Sequence, residues 1–278
     1  MPRYGIAIDS ANCMACYNCF IACKDEHCGF ATKFSAPQPH LGHQWMKIVE
    51  WERGDDTRRI KMGTIPTPCS HCSEPECMKA AKNGAVYKRS DGIVIIDPEK
   101  SKGQKAIVDA CPIGAIYWNE ELQIAQKCTM CAHLLDSGYA EPRCTEVCPN
   151  DVLIFGDLDD ENSEISKRIA AGKVTQLDEL KGMDTAVVHL NIPTVFLAGS
   201  IYLPDDEVTA GVKVTLTNKA TGESISTETN YFGDWEFEDL DKDTEYEIII
   251  EYPGYKSVTL YTITDTDHYV AETILEPA

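Results

Sequence analysis

The sequence predicts an α+β chain in two parts: short strands and helices wrapped around metal, then an all-β sandwich or barrel. Three observations predict it. All 13 cysteines lie between Cys13 and Cys148, and the residues after them contain none. Charge breaks at nearly the same place: residues 1–150 carry 17 Lys and Arg against 18 Asp and Glu, whereas residues 151–278 carry 8 against 27. From about Thr185 the apolar residues recur with a period of two, in short runs parted by Gly, Asp, Asn and Pro, which is the pattern of strands and turns. The expected domains are 1–156 for the metal part, 157–184 for a polar helical connector and 185–278 for a seven-stranded β domain.

These totals exclude several function classes. A formal net charge of −20, nearly all of it in the back half, repels nucleic acid and anionic membranes. The opening "MPRYGIAID" lacks a basic-then-apolar signal pattern, and no stretch approaches the roughly 18 apolar residues of a membrane span. The expectation is a soluble, cytoplasmic chain with no nucleic-acid or membrane partner. In such a chain, dense cysteine motifs read as metal sites before they read as disulfides.

Along the front part, "YGIAID" at residues 4–9 predicts a short strand, and "HQWMKIVEW" at 43–51 predicts a second. Residues 86–87 and 93–96 flank "RSDG", a hairpin signal. "KCTMCAHLLD" starts a short helix. With little ordinary core, this part must draw much of its folding energy from metal binding. Residues 157–184, "DLDDENSEISKRIAAGKVTQLDELKGMD", are too polar for more than a connecting helix. The strands expected behind it are "TVFLAGSIYL", "GVKVTLTN", "GESISTET", "GDWEFEDL", "EYEIIIEY", "YKSVTLYTI" and "HYVAETIL". "TNKATGESISTETNYFGDWEFEDL" makes this domain resemble the transthyretin-like and Cna-B-type modules. It holds no catalytic constellation, so a contact or stabilising role is expected.

Three cysteine groups carry the chemistry: Cys13, Cys16, Cys19 and Cys23; then Cys69, Cys72 and Cys77; then Cys128, Cys131, Cys144 and Cys148. Cys28 and Cys111 stand alone. A [4Fe–4S] cube takes four thiolates, one per iron. Three cysteines of C-x2-C-x2-C reach three corners from one loop, and the fourth comes from elsewhere; in two-cluster ferredoxins it belongs to the other motif. Zinc prefers paired C-x2-C units with four ligands per ion, which does not explain the triplet. His71 lies inside a motif, with His27, His40, His43 and His133 nearby. Twelve cysteines suffice without them, so they read as hydrogen-bond donors around the clusters or as surface residues.

The layout resembles the large bacterial ferredoxin-like subunits, in which four motifs pair outer with outer and inner with inner. That resemblance implies a first cluster on Cys13, Cys16, Cys19 and Cys148. It implies a second on Cys128, Cys131, Cys144 and Cys23, and a third on Cys69, Cys72, Cys77 and Cys111. A fourth would need cysteines at Ala81, Ser101, Gln104 and Ile107, and all four are absent together. An internal repeat supports this registration: "CPIGAIYW" at Cys111, "CPNDVLIF" at Cys148 and "AKNGAVYK" at Ala81. Cys111 remains because it serves the third cluster, and Cys28 is left over as an ordinary thiol.

Over residues 1–155 the cysteine layout resembles the iron–sulfur electron-transfer subunit of the dimethyl-sulfoxide-reductase family of molybdenum and tungsten enzymes. "GHQWM", "GAVYKRSDGIVIIDPEK", "YWNEE" and "QKCTMCAHLLD" bring it nearest to the small subunits of that family's phenolic transhydroxylases. The resemblance implies three [4Fe–4S] clusters on this chain and a large catalytic partner that carries molybdopterin, with Mo or W, and the substrate pocket. The assembly would be a heterodimer or a higher oligomer of it, moving a hydroxyl between aromatic rings, with no catalytic residue on this chain. The absent cube suggests a relay that ends here. The alternative is a stand-alone polyferredoxin that shuttles electrons between enzymes, or the small subunit of another phenol hydroxylase or dehydroxylase.

Overall fold

The apolar run "YGIAID" forms the strand Tyr4–Asp9, buried from Gly5 onward, in a computed structural model that describes residues 1–204 and 207–278. It is central to a four-stranded sheet in the order Leu153–Asp157, Tyr4–Asp9, Val187–Leu190, Val174–Thr175. Pairing is antiparallel to Leu153–Asp157, with Ile6 opposite Phe155, and parallel to Val187–Leu190, with Ile8 opposite His189. This sheet belongs to the first of two units, Met1–Glu50 with Thr64–Ile192; the second is Trp51–Gly63 with Pro193–Ala278.

The expected division at 157–184 and 185–278 is therefore corrected. Residues 157–184 are not a connector. They carry the helix Glu164–Ala171 and the edge strand Val174–Thr175, and Val187–Leu190 also belongs to the first unit. The helix starts where Ser163 Oγ accepts the Ser166 N–H at 3.2 Å, an N-cap. Ile165 and Ile169, four residues apart on one face, pack on Ala7, Ile154 and Leu190. A two-residue stripe among charges looks like a solvated connector until the sheet beneath it is known. Gly156 lets the helix approach, since a Cβ there would lie 2.7 Å from Ile165.

The rest of the first unit is short elements, as expected. Val86–Lys88 pairs with Val94–Ile96 across "RSDG", and Ile116–Asn119 pairs with Ile124–Lys127. The helices near the cysteines are Asn18–His27, Glu76–Ala80, Ala106–Asp109, Ala132–Asp136 and Arg143–Glu146. Cys19, Cys23 and Cys144 sit inside the apolar core with Ile8, Trp45, Met46, Ile95 and Met130.

In the second unit each of the seven expected segments contains a strand, and Glu207–Val208 adds a short one. One sheet joins Val195–Leu203 to Asp234–Leu240 and Glu207–Val208, with His268–Ile274 parallel to Val195–Leu203. The other is antiparallel, in the order Ser224–Glu228, Lys213–Asn218, Glu245–Glu251, Val258–Ile263. Alternation explains the core. In Glu245–Glu251, Tyr246, Ile248 and Ile250 face in, against Val214, Leu216, Trp235 and Phe237. The turn of the hairpin Met46–Asp56/Arg59–Pro68 also belongs here. Arg53, 6% exposed, bonds Asp267 at 2.9 Å, and His268 Nδ1 lies 2.6 Å from Asp55. Among the described residues no helix is long and apolar enough to cross a membrane.

Candidate metal centre

Three C-x-x-C pairs, Cys13–Cys16, Cys69–Cys72 and Cys128–Cys131, close on the same backbone turn. The residue two after the first cysteine is left-handed: Ala15 at φ 52°, His71 at 45° and Met130 at 51°. For a residue with a Cβ this costs about 1–2 kcal/mol. Such a turn aims successive N–H groups into a concave lining suited to an anion. Met130 N–H accordingly donates to Cys128 Sγ at 3.3 Å. A second register follows the Cys-Pro steps, where the residue three after the cysteine is left-handed: Gly114 at 61° and Asp151 at 49°. The next N–H, of Ala115 and of Val152, donates back to Cys111 Sγ and Cys148 Sγ, both at 3.3 Å. N–H donation to sulfur favours the thiolate.

The cysteines gather in fours. Cys13, Cys16, Cys19 and Cys148 line one cavity. Cys69, Cys72, Cys77 and Cys111 line another. Cys23, Cys128, Cys131 and Cys144 are packed deeper. Burial first, then Cys131, Cys128 and Cys23, pushes the Cys144 thiol well above its usual range. Among the described residues no group of three or more His, Cys, Asp or Glu converges on a single ion. Four thiols spread around a cavity fit a multi-iron cube, whereas zinc needs four sulfurs within about 2.3 Å of one point.

Burial also raises five more of these thiols, to about 12 for Cys19, Cys77 and Cys131 and about 11 for Cys72 and Cys128. Left free, these thiols keep their protons near neutral pH. Iron takes thiolates, so cluster assembly releases protons and is coupled to folding.

The four positions without cysteine also come together, and they are filled. Ser101 and Ile107 are fully buried. Ala81 and Ile107 pack with Val86 and Ile96. Gln104 bridges the two segments: its Oε1 accepts Lys82 N–H at 2.7 Å, and its Nε2 donates to the Lys100 carbonyl at 2.6 Å. The turns persist. Gly103, two after Ser101, has φ 72°, and Gly84, three after Ala81, has φ 65°. The same left-handed turns are thus found beside these four positions, whose side chains are packed or hydrogen-bonded.

Known proteins match both parts. The 4Fe-4S dicluster domain family matches residues 60–158, and the carboxypeptidase regulatory-like domain family matches 197–276. The pyrogallol hydroxytransferase small subunit of Pelobacter acidigallici is 39% identical over 267 residues, covering 91% of this chain and 92% of that protein. The chain belongs to the iron–sulfur small subunits of the dimethyl-sulfoxide-reductase family. A putative dimethyl sulfoxide reductase iron-sulfur subunit of Halobacterium salinarum is 32% identical, covering 69% of this chain and 80% of that one. A tetrathionate reductase subunit of Salmonella typhimurium is 29% identical, covering 70% and 75%. This iron–sulfur subunit is thus an electron-transfer chain of the molybdopterin oxidoreductases, followed by a carboxypeptidase-regulatory-like β-sandwich.

The histidines of the iron–sulfur subunit divide. His40 is exposed. His43 Nε2 lies 3.1 Å from the Trp118 carbonyl, and His133 Nε2 lies 2.8 Å from Glu26. His27 Nε2 lies 3.7 Å from Cys131 Sγ, and burial, with His133 beside it, lowers its pKa to about 3. His71 is 1% exposed and lowered well below its usual range by burial, then by Lys127 and Lys88. Cys28 lies apart from the three groups, its Sγ 3.5 Å from the Pro39 carbonyl. Sequence pattern does not single out Lys127, although one signal was present: a lysine directly before Cys128, at the end of the strand Ile124–Lys127. It is 2% exposed.

Proposed function

We propose that this chain holds three [4Fe–4S] clusters and relays electrons beside a large molybdopterin-binding subunit that moves a hydroxyl between phenolic rings, as in pyrogallol–phloroglucinol transhydroxylation. The cluster ligands are Cys13, Cys16, Cys19 and Cys148; Cys128, Cys131, Cys144 and Cys23; and Cys69, Cys72, Cys77 and Cys111. The observation that carries the reading is the pair of cavities, each lined by one of these sets of four. When bound, the clusters accept and release single electrons. The protein's part is to exclude water, supply thiolates and aim N–H groups at sulfur, which set the potentials.

The substrate class rests on the relative that matches nearly the whole chain, a pyrogallol hydroxytransferase small subunit. Moving a hydroxyl from one ring to another oxidises one ring and reduces the other, so no net electrons leave. A relay that ends without a fourth cluster suits such chemistry. The β domain reads as a transthyretin-like or Cna-B-like module with a contact role, and the working place as the cytoplasm of an anaerobe. The test is purification of the native complex without air. The expected result is a co-eluting large chain, about one molybdenum or tungsten per small chain, and conversion of pyrogallol to phloroglucinol. A chain that purifies alone with iron and neither metal is the stand-alone shuttle instead.

A further inference from the structure

The cavity of Cys69, Cys72, Cys77 and Cys111 differs from that of Cys13, Cys16, Cys19 and Cys148 in its polar lining. His71 lies between two of the cysteines and lines the cavity with them. Its Nδ1 accepts the Val94 N–H at 3.0 Å. An acceptor nitrogen carries no proton, so the neutral ring has its N–H at Nε2. That Nε2 is buried and has no partner among the described residues, and neither has Ser70 Oγ in the same cavity. A buried N–H without an acceptor is a standing cost. No residue lining the other cavity has such an orphaned buried side-chain atom among the described residues.

Lys127 adds charge. Its Nζ donates to the Val94 carbonyl at 2.5 Å and to the Cys128 carbonyl at 3.0 Å. Among the described residues no carboxylate pairs with it, although it is almost fully buried. A buried ammonium needs a compensating negative charge. Val94 therefore fixes both groups, accepting from Lys127 and donating to His71. Adding one electron to the cysteine cage adds one negative charge, which an N–H donor and a nearby cation both stabilise.

We propose that His71 donates its Nε2–H to a sulfur of the cluster held by Cys69, Cys72, Cys77 and Cys111, and that Lys127 supplies the neighbouring charge, making this cluster more easily reduced than the one held by Cys13, Cys16, Cys19 and Cys148. The inference rests on the ligand sets proposed above. His71 is a positioning residue for electrons, acting on potential and not on substrate.

The test is a spectroscopically monitored reductive titration of the complete anaerobic complex, with Cys111→Ser marking which signal belongs to this cluster. That signal is expected to have a higher midpoint than that of the Cys13, Cys16, Cys19 and Cys148 cluster in the unsubstituted protein. In His71→Leu its midpoint falls, so that at the original midpoint the oxidised form predominates about tenfold, which is 59 mV for a one-electron couple. His71→Asn keeps an N–H and tolerates the left-handed backbone, so it recovers part of the shift. Lys127→Met moves the same signal the same way, and carries the test if His71→Leu fails to assemble. Unchanged midpoints in variants with full iron, where Cys111→Ser does remove a signal, overturn the hydrogen bond alone. If Cys111→Ser removes no signal, the ligand set fails and the inference fails with it.

Discussion

His189 shows what burial alone does to one side chain. It is 4% exposed on the strand Val187–Leu190, and burial lowers its pKa to about 4. Unfolded, it protonates as pH falls through about 6.5. Between those values the unfolded state binds more protons, so stability falls as pH falls. The full effect is about 3 kcal/mol at roughly 1.4 kcal/mol per unit. The thermal midpoint of the wild type should drop relative to His189→Gln between about pH 7 and about pH 4. Parallel curves would contradict it. The cysteines were legible in the sequence because their chemistry depends on local spacing. The orientation of His71 was not, because its tautomer is set by Val94, 23 residues away.

At the scale of elements, one turn recurs four times, at Ala15, His71, Gly103 and Met130. Only at Gly103 does it lack flanking cysteines. Here a glycine has removed the strain that the other three positions carry, as expected where no bound group offsets it. Since the backbone persists, restoring the ligands should restore the site. The variant Ala81→Cys, Ser101→Cys, Gln104→Cys, Ile107→Cys should take up about four more iron per chain on anaerobic reconstitution. Iron unchanged in a folded variant would mean that the packing around Ile107, not the missing thiols, closes the site. The period of two placed all seven segments of the β-sandwich, and the short hairpins were read from their turn residues. The helix Glu164–Ala171 was misread as a connector because two isoleucines make a weak stripe. The strand Val187–Leu190 was assigned to the wrong unit because parallel pairing to Tyr4–Asp9 leaves no local trace.

For the whole molecule, composition had already separated a cysteine-rich, nearly neutral front from an acidic β-rich back. The structure moved the boundary to Ile192 and Pro193 and assigned Trp51–Gly63 to the second unit. Nothing in composition marks that excursion; its basis is pairing at long range, such as Arg53 with Asp267. The central claim is that twelve of the 13 cysteines hold three cubes and that a fourth is lost. The most direct test is iron and acid-labile sulfide per chain in protein purified without air. About twelve of each is the predicted result. Eight or sixteen of each, or zinc in place of iron, would contradict it.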